Sequence, residues 1–122
     1  MQTFKFRMWQ GEEDCHIVLA KYVADGSLAI LLESAVDGSP VTTLTTCLYY
    51  DDIPVESNYC YIDTNNNLYA EEFIQQNHLG EPVRNRIGQP IYGTSGFCKY
   101  PLYKMDMLFL RAACKRNNYD GK

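Results

Sequence analysis

Long apolar runs, paired cysteines and an excess of basic charge are all missing from this sequence, and each absence narrows what the chain does. The longest uninterrupted apolar stretch is Leu28-Ala29-Ile30-Leu31-Leu32, far short of the ~20 residues that span a bilayer. The opening residues, Met1-Gln2-Thr3-Phe4-Lys5-Phe6-Arg7, lack the apolar centre of a secretory leader. Both features predict a soluble, cytoplasmic protein with no membrane contact. The five cysteines (Cys15, Cys47, Cys60, Cys98 and Cys114) are odd in number and form no Cys-x-x-Cys pair. Neither a disulfide framework nor a zinc knuckle is indicated, so reduced thiols acting as small hydrophobes are expected. With 11 basic and 15 acidic residues the net charge is −4. Binding to nucleic acid is disfavoured, because neutralising phosphates takes clustered Lys and Arg. The acidic groups fall in turns (Glu12, Glu13, Asp14; Asp51, Asp52) rather than in a phosphate-like array.

What is present fits one domain: 122 residues, 46% of them apolar, enough for a core without staples. Residues 1–62 read as a β-meander. Phe4, Phe6 and Met8 alternate with Lys5 and Arg7 within a strand from Thr3 to Trp9. Gly11 to Asp14 reads as a loop, and strands are expected at Cys15–Val23, Ser27–Val36 and Val41–Tyr50. Asp25-Gly26 and Asp37-Gly38 supply the hairpin turns between them. Asp51-Asp52-Ile53-Pro54 breaks the pattern before a short strand from Asn58 to Asp63.

Residues 63–80 read as a polar turn, Asp63-Thr64-Asn65-Asn66-Asn67, and then a helix from Leu68 to His78 packing through Ala70, Phe73, Ile74 and Asn77. Asn66 or Asn67 is the expected N-cap, Glu71 and Glu72 suit the positive end of the helix dipole, and Gly80 is the expected C′ residue ahead of Pro82. Residues 81–96 are expected to be a long glycine- and proline-rich loop carrying Arg84 and Arg86, of the kind that is often functional. Residues 97–115 read as a strand from Phe97, with Pro101 marking an edge or bulge, or as a short helix from Met105 to Lys115. The tail, residues 116–122, is expected to fray.

Three blocks gather hydrogen-bonding groups. The Asp63–Asn67 run resembles the opening of a calcium loop, but Leu68 stands where the sharp-turn glycine belongs and Ile74 where the bidentate Glu belongs. Asx-turn and capping chemistry explains it better, with binding of an anion or a nucleotide edge at a helix start as the sharper alternative. Gly93-Thr94-Ser95-Gly96-Phe97 completes only half of a nucleophile elbow, since Phe97 replaces the second glycine. Cys98 with His16 or His78 would be a thiolate–base pair only by coincidence of composition. Of ten tyrosines, eight (Tyr49, Tyr50, Tyr59, Tyr61, Tyr69, Tyr92, Tyr100 and Tyr103) cluster between positions 49 and 103. They suit cross-strand packing or an aromatic binding face.

Several blocks resemble a domain-of-unknown-function family, the one numbered 4313, of gut bacteria, their phages and mobile elements. They are Ile62-Asp63-Thr64-Asn65-Asn66, Ala70-Glu71-Glu72-Phe73-Ile74, Leu79-Gly80-Glu81-Pro82 and Ser95 to Tyr103. The resemblance covers roughly residues 60–105. It implies an origin, carries over no catalytic residue, and is the sole basis for expecting a role in countering host defence.

The expected architecture is α+β: an antiparallel sheet of five or six strands with one main helix packed on it. The expected function is a non-enzymatic binding protein engaging a host protein. The alternative is a small-ligand or nucleotide-binding protein using the Asn-rich turn and the glycine-rich loop. The candidate surface joins Asp63, Asn65, Asn66, Arg84, Arg86, Ser95 and Tyr100. No cofactor or metal is called for, and an enzyme with Cys98 as nucleophile is a third class.

Overall fold

The computed structural model describes residues 2–23, 26–48 and 58–119. Its elements in chain order are β1 (Phe4–Met8), β2 (Gly11–Lys21), β3 (Leu28–Ser34), β4 (Pro40–Thr43), β5 (Thr45–Thr46), β6 (Tyr59–Ile62), α1 (Ala70–Gln76), β7 (Gly80–Pro82), β8 (Tyr92–Ser95), β9 (Cys98–Met105), α2 (Met107–Ala113) and β10 (Arg116–Asn117). The class is α+β and mostly antiparallel. In place of one sheet and one main helix, the described residues form two five-stranded sheets and two helices of seven residues each. Among the described residues no helix is long and apolar enough to cross a membrane.

The first sheet runs β1-β2-β3-β4, with β10 added parallel to β2. Period-two burial builds it. Phe4 and Phe6 face inward and Lys5 and Arg7 outward, as their alternation requires. Gly11 to Asp14, expected as a loop, is the start of β2. Its polar side chains lie opposite β1, Lys5 against Asp14 and Arg7 against Glu12, and Lys5 Nζ reaches Asp14 Oδ1 at 3.1 Å. Opposite charges across a ladder suit an exposed face where apolar content is not needed. Asp37-Gly38 turns β3 into β4, with Gly38 N–H donating to Ser34 O.

The expected strand from Val41 breaks at Leu44, which carries the chain from the first sheet to the second. Its N–H donates to Ile30 O and its carbonyl accepts from Asp63 N–H. Tyr49 and Tyr50, the break at 51–54 and Asp25 lie outside the described residues.

The second sheet runs β5-β6-β9-β7, with β8 also on β9. β9 is therefore central, and Pro101 is not on an edge strand. It sits one residue beyond Leu102, the last partner of β6, and opposite Tyr92 of β8. A residue without an N–H fits where one ladder has ended.

The segment expected as a long loop is a hairpin instead: β7, a bridge between Arg84 and Pro90, and β8. Two of its glycines are there for close packing. A Cβ on Gly80 would stand 2.8 Å from Lys104 O, and one on Gly93 would stand 2.7 Å from the Tyr61 ring. The C′ position of α1 falls on His78 (φ 56°), not Gly80. His78 N–H donates to Gln75 O and Leu79 N–H to Ile74 O, the paired bonds of a Schellman end.

Past β9 the choice between strand and helix resolves into α2, which Asp106 caps by accepting from Phe109 N–H at 3.1 Å. The tail expected to fray is docked through Tyr119, which is buried. Lys115 and Asn118 donate to Ile17 and Leu19 carbonyls, and Glu33 holds Arg116 at 2.7 Å and Lys115 at 3.2 Å. One apolar cluster draws on both sheets and both helices, including Phe6, Ile17, Ile30, Ile62, Phe73, Tyr103 and Leu110. A smaller one gathers Tyr61, Tyr100 and Leu102.

Candidate functional site

The β1–β2 connection is two residues long. Met8 pairs with Gly11, which leaves Trp9 and Gln10 in the turn, outside the pleat that buries Phe4 and Phe6. Trp9 is consequently 86% exposed.

Across from it lies the turn of residues 63–69. Asp63 organises this turn: its carboxylate accepts from Asn66 N–H at 3.3 Å and Asn66 Nδ2 at 2.9 Å, and its carbonyl accepts from Asn67 N–H. Asn67 then ties the turn to β4. Its Nδ2 donates to Thr43 O at 2.7 Å, and its Oδ1 accepts from the Thr42 hydroxyl. Neither asparagine caps α1. Tyr69 occupies the N-cap without a side-chain cap bond, and the Asn67 amide is committed at both ends to β4. The turn holds Leu68 outward, 80% exposed.

Between these two rims is a cleft of about 330 Å³. Its floor is Phe6, Met8 and Val41, and its polar lining is Gln10, Thr42, Asn66 and Asn67. Among the described residues Arg7 is the one charged residue lining it. The Arg7 guanidinium lies 4.9 Å from the centre of the Tyr69 ring, a cation–π distance, and Nη1 is 3.4 Å from Glu72 Oε1.

Of the residues expected from sequence, Asn66 lines this cleft and Asp63 shapes it, whereas Asn65 is exposed on the same turn. The others lie elsewhere. Arg84 closes its own hairpin by donating to Gly88 O at 3.0 Å, and Arg86 is exposed at that hairpin's turn. Ser95 pairs with Cys98 at the end of β8. Tyr100 is buried opposite Gly93, where burial, the Cys98 thiol and the Asp63 charge raise its phenol above the ordinary value. Asp63 and Tyr100 lie near enough for the carboxylate to act on the phenol. Tyr69, one of the clustered tyrosines, also lines the cleft, and the lining residues not expected from sequence include Arg7, Trp9 and Leu68. A tryptophan in a two-residue turn beside Gly11 was the available signal.

The clustered tyrosines mostly pack. Tyr61, Tyr100 and Tyr103 are buried, Tyr59 and Tyr69 are half-buried, and Tyr92 is exposed. A second, more open depression of about 500 Å³ is lined by His78, Glu81, Lys104 and Asp106 with Met105 and Met107.

The thiols offer little for nucleophilic chemistry. Burial pushes Cys60 up to about 12; burial, aided by Glu13 and Asp14, pushes Cys15 up to about 11. Cys98 is half-buried. His78 lies by Met105 at the far end of β9, about 23 Å away at ~3.3 Å per residue. His16 sits on β2 with Nδ1 3.2 Å from Gln2 O. Among the described residues no three His, Cys, Asp or Glu side chains are placed to hold a metal ion.

The chain belongs to the family described as Domain of unknown function (DUF4313), which matches residues 16–120. No curated protein and no solved structure matches it. The matched segment includes the Asn turn and Leu68. β1 and Trp9 precede it, so the two rims of the cleft come from inside and outside the family match.

Proposed function

We propose that this chain is a non-enzymatic binding protein whose recognition surface is the cleft between the Trp9 turn and the Asn66–Leu68 turn. The observation behind the reading is the placement of Trp9 and Leu68, 86% and 80% exposed on opposite rims of one cavity. Covering a large apolar side chain is worth about 1.5–3 kcal/mol, and neighbouring exposed apolar groups around a concavity are a mark of binding sites. The setting carried by the family resemblance belongs to this proposal: a cytoplasmic protein from a mobile element of a gut bacterium, with a host protein as partner.

The test is affinity capture from a gut-bacterial lysate with wild type, Trp9→Ser and Leu68→Ser as baits. A protein retained by wild type and lost from both variants is the expected result. Identical capture by all three would sink this choice of surface.

A small-ligand reading is favoured by one feature, the size of the cleft, which falls at the lower end of the ~300–1,000 Å³ range of small-molecule sites. In that reading the Asn-rich turn contributes Asn66 and Asn67, and the partner of the turn is the Trp9 hairpin rather than the glycine-rich segment.

A further inference from the structure

We infer that the cleft holds one sugar ring, with the ring's C–H face on the Trp9 indole and its hydroxyls on the surrounding amides. The inference rests on the small-ligand reading of this cleft given above and names the chemistry of the ligand.

Charge comes first. Arg7 is the only charged residue lining the cleft among the described residues, and it is engaged by Glu72 and by the Tyr69 ring. Among the described residues no unpaired charge lines the cleft to recognise a phosphate or a carboxylate. A purely apolar ligand fits no better, because the lining interleaves Met8, Trp9 and Leu68 with Gln10, Thr42 and Asn66, and covered amides without partners are costly.

A ligand matched to both halves is uncharged, with an apolar face and a hydroxylated rim, as a pyranose has. Aromatic rings carry a negative face that attracts polarised C–H groups. Arg7 already covers Tyr69, so Trp9 is the open ring in the cleft. A single open face suits a sugar, whereas a nucleobase is better held between two. The polar groups are set in advance: Asp63 fixes Asn66 through Nδ2. Asn66 Oδ1 and the Gln10 amide have no partner among the described residues. The volume of about 330 Å³ has room for a sugar ring.

Trp9 is the only tryptophan in the chain, so its fluorescence reports on this site alone. The experiment titrates the full-length protein with glucose, galactose, mannose and N-acetylglucosamine, with their short oligosaccharides, and in parallel with nucleosides. A saturable blue shift and protection from acrylamide quenching by at least one sugar are expected. Gln10→Ala, which breaks no internal bond, and Asn66→Ala should each weaken that sugar about tenfold, the loss of one hydrogen bond. Equal affinity for the monosaccharide and its oligosaccharides assigns a free sugar, and tighter binding of the oligosaccharide assigns a glycan chain. The inference is overturned by no saturable response to any sugar, by a response to nucleosides alone, or by affinities unchanged in both variants. If the sugars fail while protein capture still depends on Trp9, the sugar is wrong and the binding surface stands.

Discussion

Tyr103 Oη donates to Glu71 Oε1 at 2.7 Å and accepts from Gln75 Nε2 at 2.9 Å, so one fully buried phenol on β9 pins two successive turns of α1 to the second sheet. A seven-residue helix has little stability of its own, and this contact adds to the anchoring that Phe73 and Ile74 provide. Tyr103→Phe keeps the ring and removes the hydroxyl. It is expected to cost about 1.5–3 kcal/mol, the range for a hydrogen bond to a charged group. Urea unfolding of the two proteins measures it; a loss within error of zero would mean that water replaces the phenol at no cost.

Asn67 joins the turn of residues 63–69 to β4 through Thr43 O and the Thr42 hydroxyl. Asn67→Ala is expected to lower stability by about 1–2 kcal/mol and to alter the acrylamide quenching of Trp9, because the opposite rim of the cleft comes loose. Unchanged quenching with the expected loss of stability would show that the two rims move independently.

The junction between α1 and β7 gives two substitutions of opposite sign. A Cβ at Gly80 meets backbone, Lys104 O at 2.8 Å, and backbone yields less readily than a side chain. Gly80→Ala is therefore expected to destabilise by about 1–3 kcal/mol, as overpacking does. His78 holds φ at 56°, a conformation that glycine adopts without strain. His78→Gly is expected to stabilise by about 0.5–1 kcal/mol. Thermal melts of both variants beside wild type check the signs.

Glu33 binds the docked tail through Arg116 and Lys115. The Arg116 hydrogen bond, reinforced by Lys115, holds its carboxyl below the ordinary value of 4.5 against the opposing effect of burial. For a carboxylate depressed in the folded state, the stabilisation is fully present above the unfolded value. It is lost as pH falls from about 4.5 through the lower folded value. Because Arg116 is half exposed, the pair is worth no more than about 1 kcal/mol. Glu33→Gln is expected to speed hydrogen exchange at Lys115 and Asn118 near neutral pH, and wild type should approach the variant on acidification. Equal exchange rates at all pH values would leave the tail held by Tyr119 and its backbone bonds alone.

Much of the fold was legible because it is written locally. The alternation of Phe4, Phe6 and Met8 located β1. The apolar run from Leu28 located β3, and Ala70, Phe73 and Ile74 marked the buried side of α1. Reading failed where a residue type had two meanings. Gly80 and Gly93 looked like loop residues, and they are strand residues chosen for close approach. Glu12 to Asp14 looked like a solvated turn, and they form a strand held by charges across the ladder. Arg116 to Tyr119 looked like a loose tail, because the carbonyls that receive it lie about a hundred residues earlier.

The sequence by itself determined the α+β class, the positions of most strands and of α1, and the family, since each depends on periodicity or on residues adjacent in the chain. Only the tertiary structure decided which polar groups line the same cleft. It placed Arg7 and Trp9 beside Asn66 in one cleft and put Arg84 in a hairpin that it closes through Gly88. The physical reason is that the cleft is closed by contacts across long sequence separations. Arg7 meets Glu72, and Asn67 meets Thr42 and Thr43, only after the two sheets have packed, and no local pattern encodes that meeting.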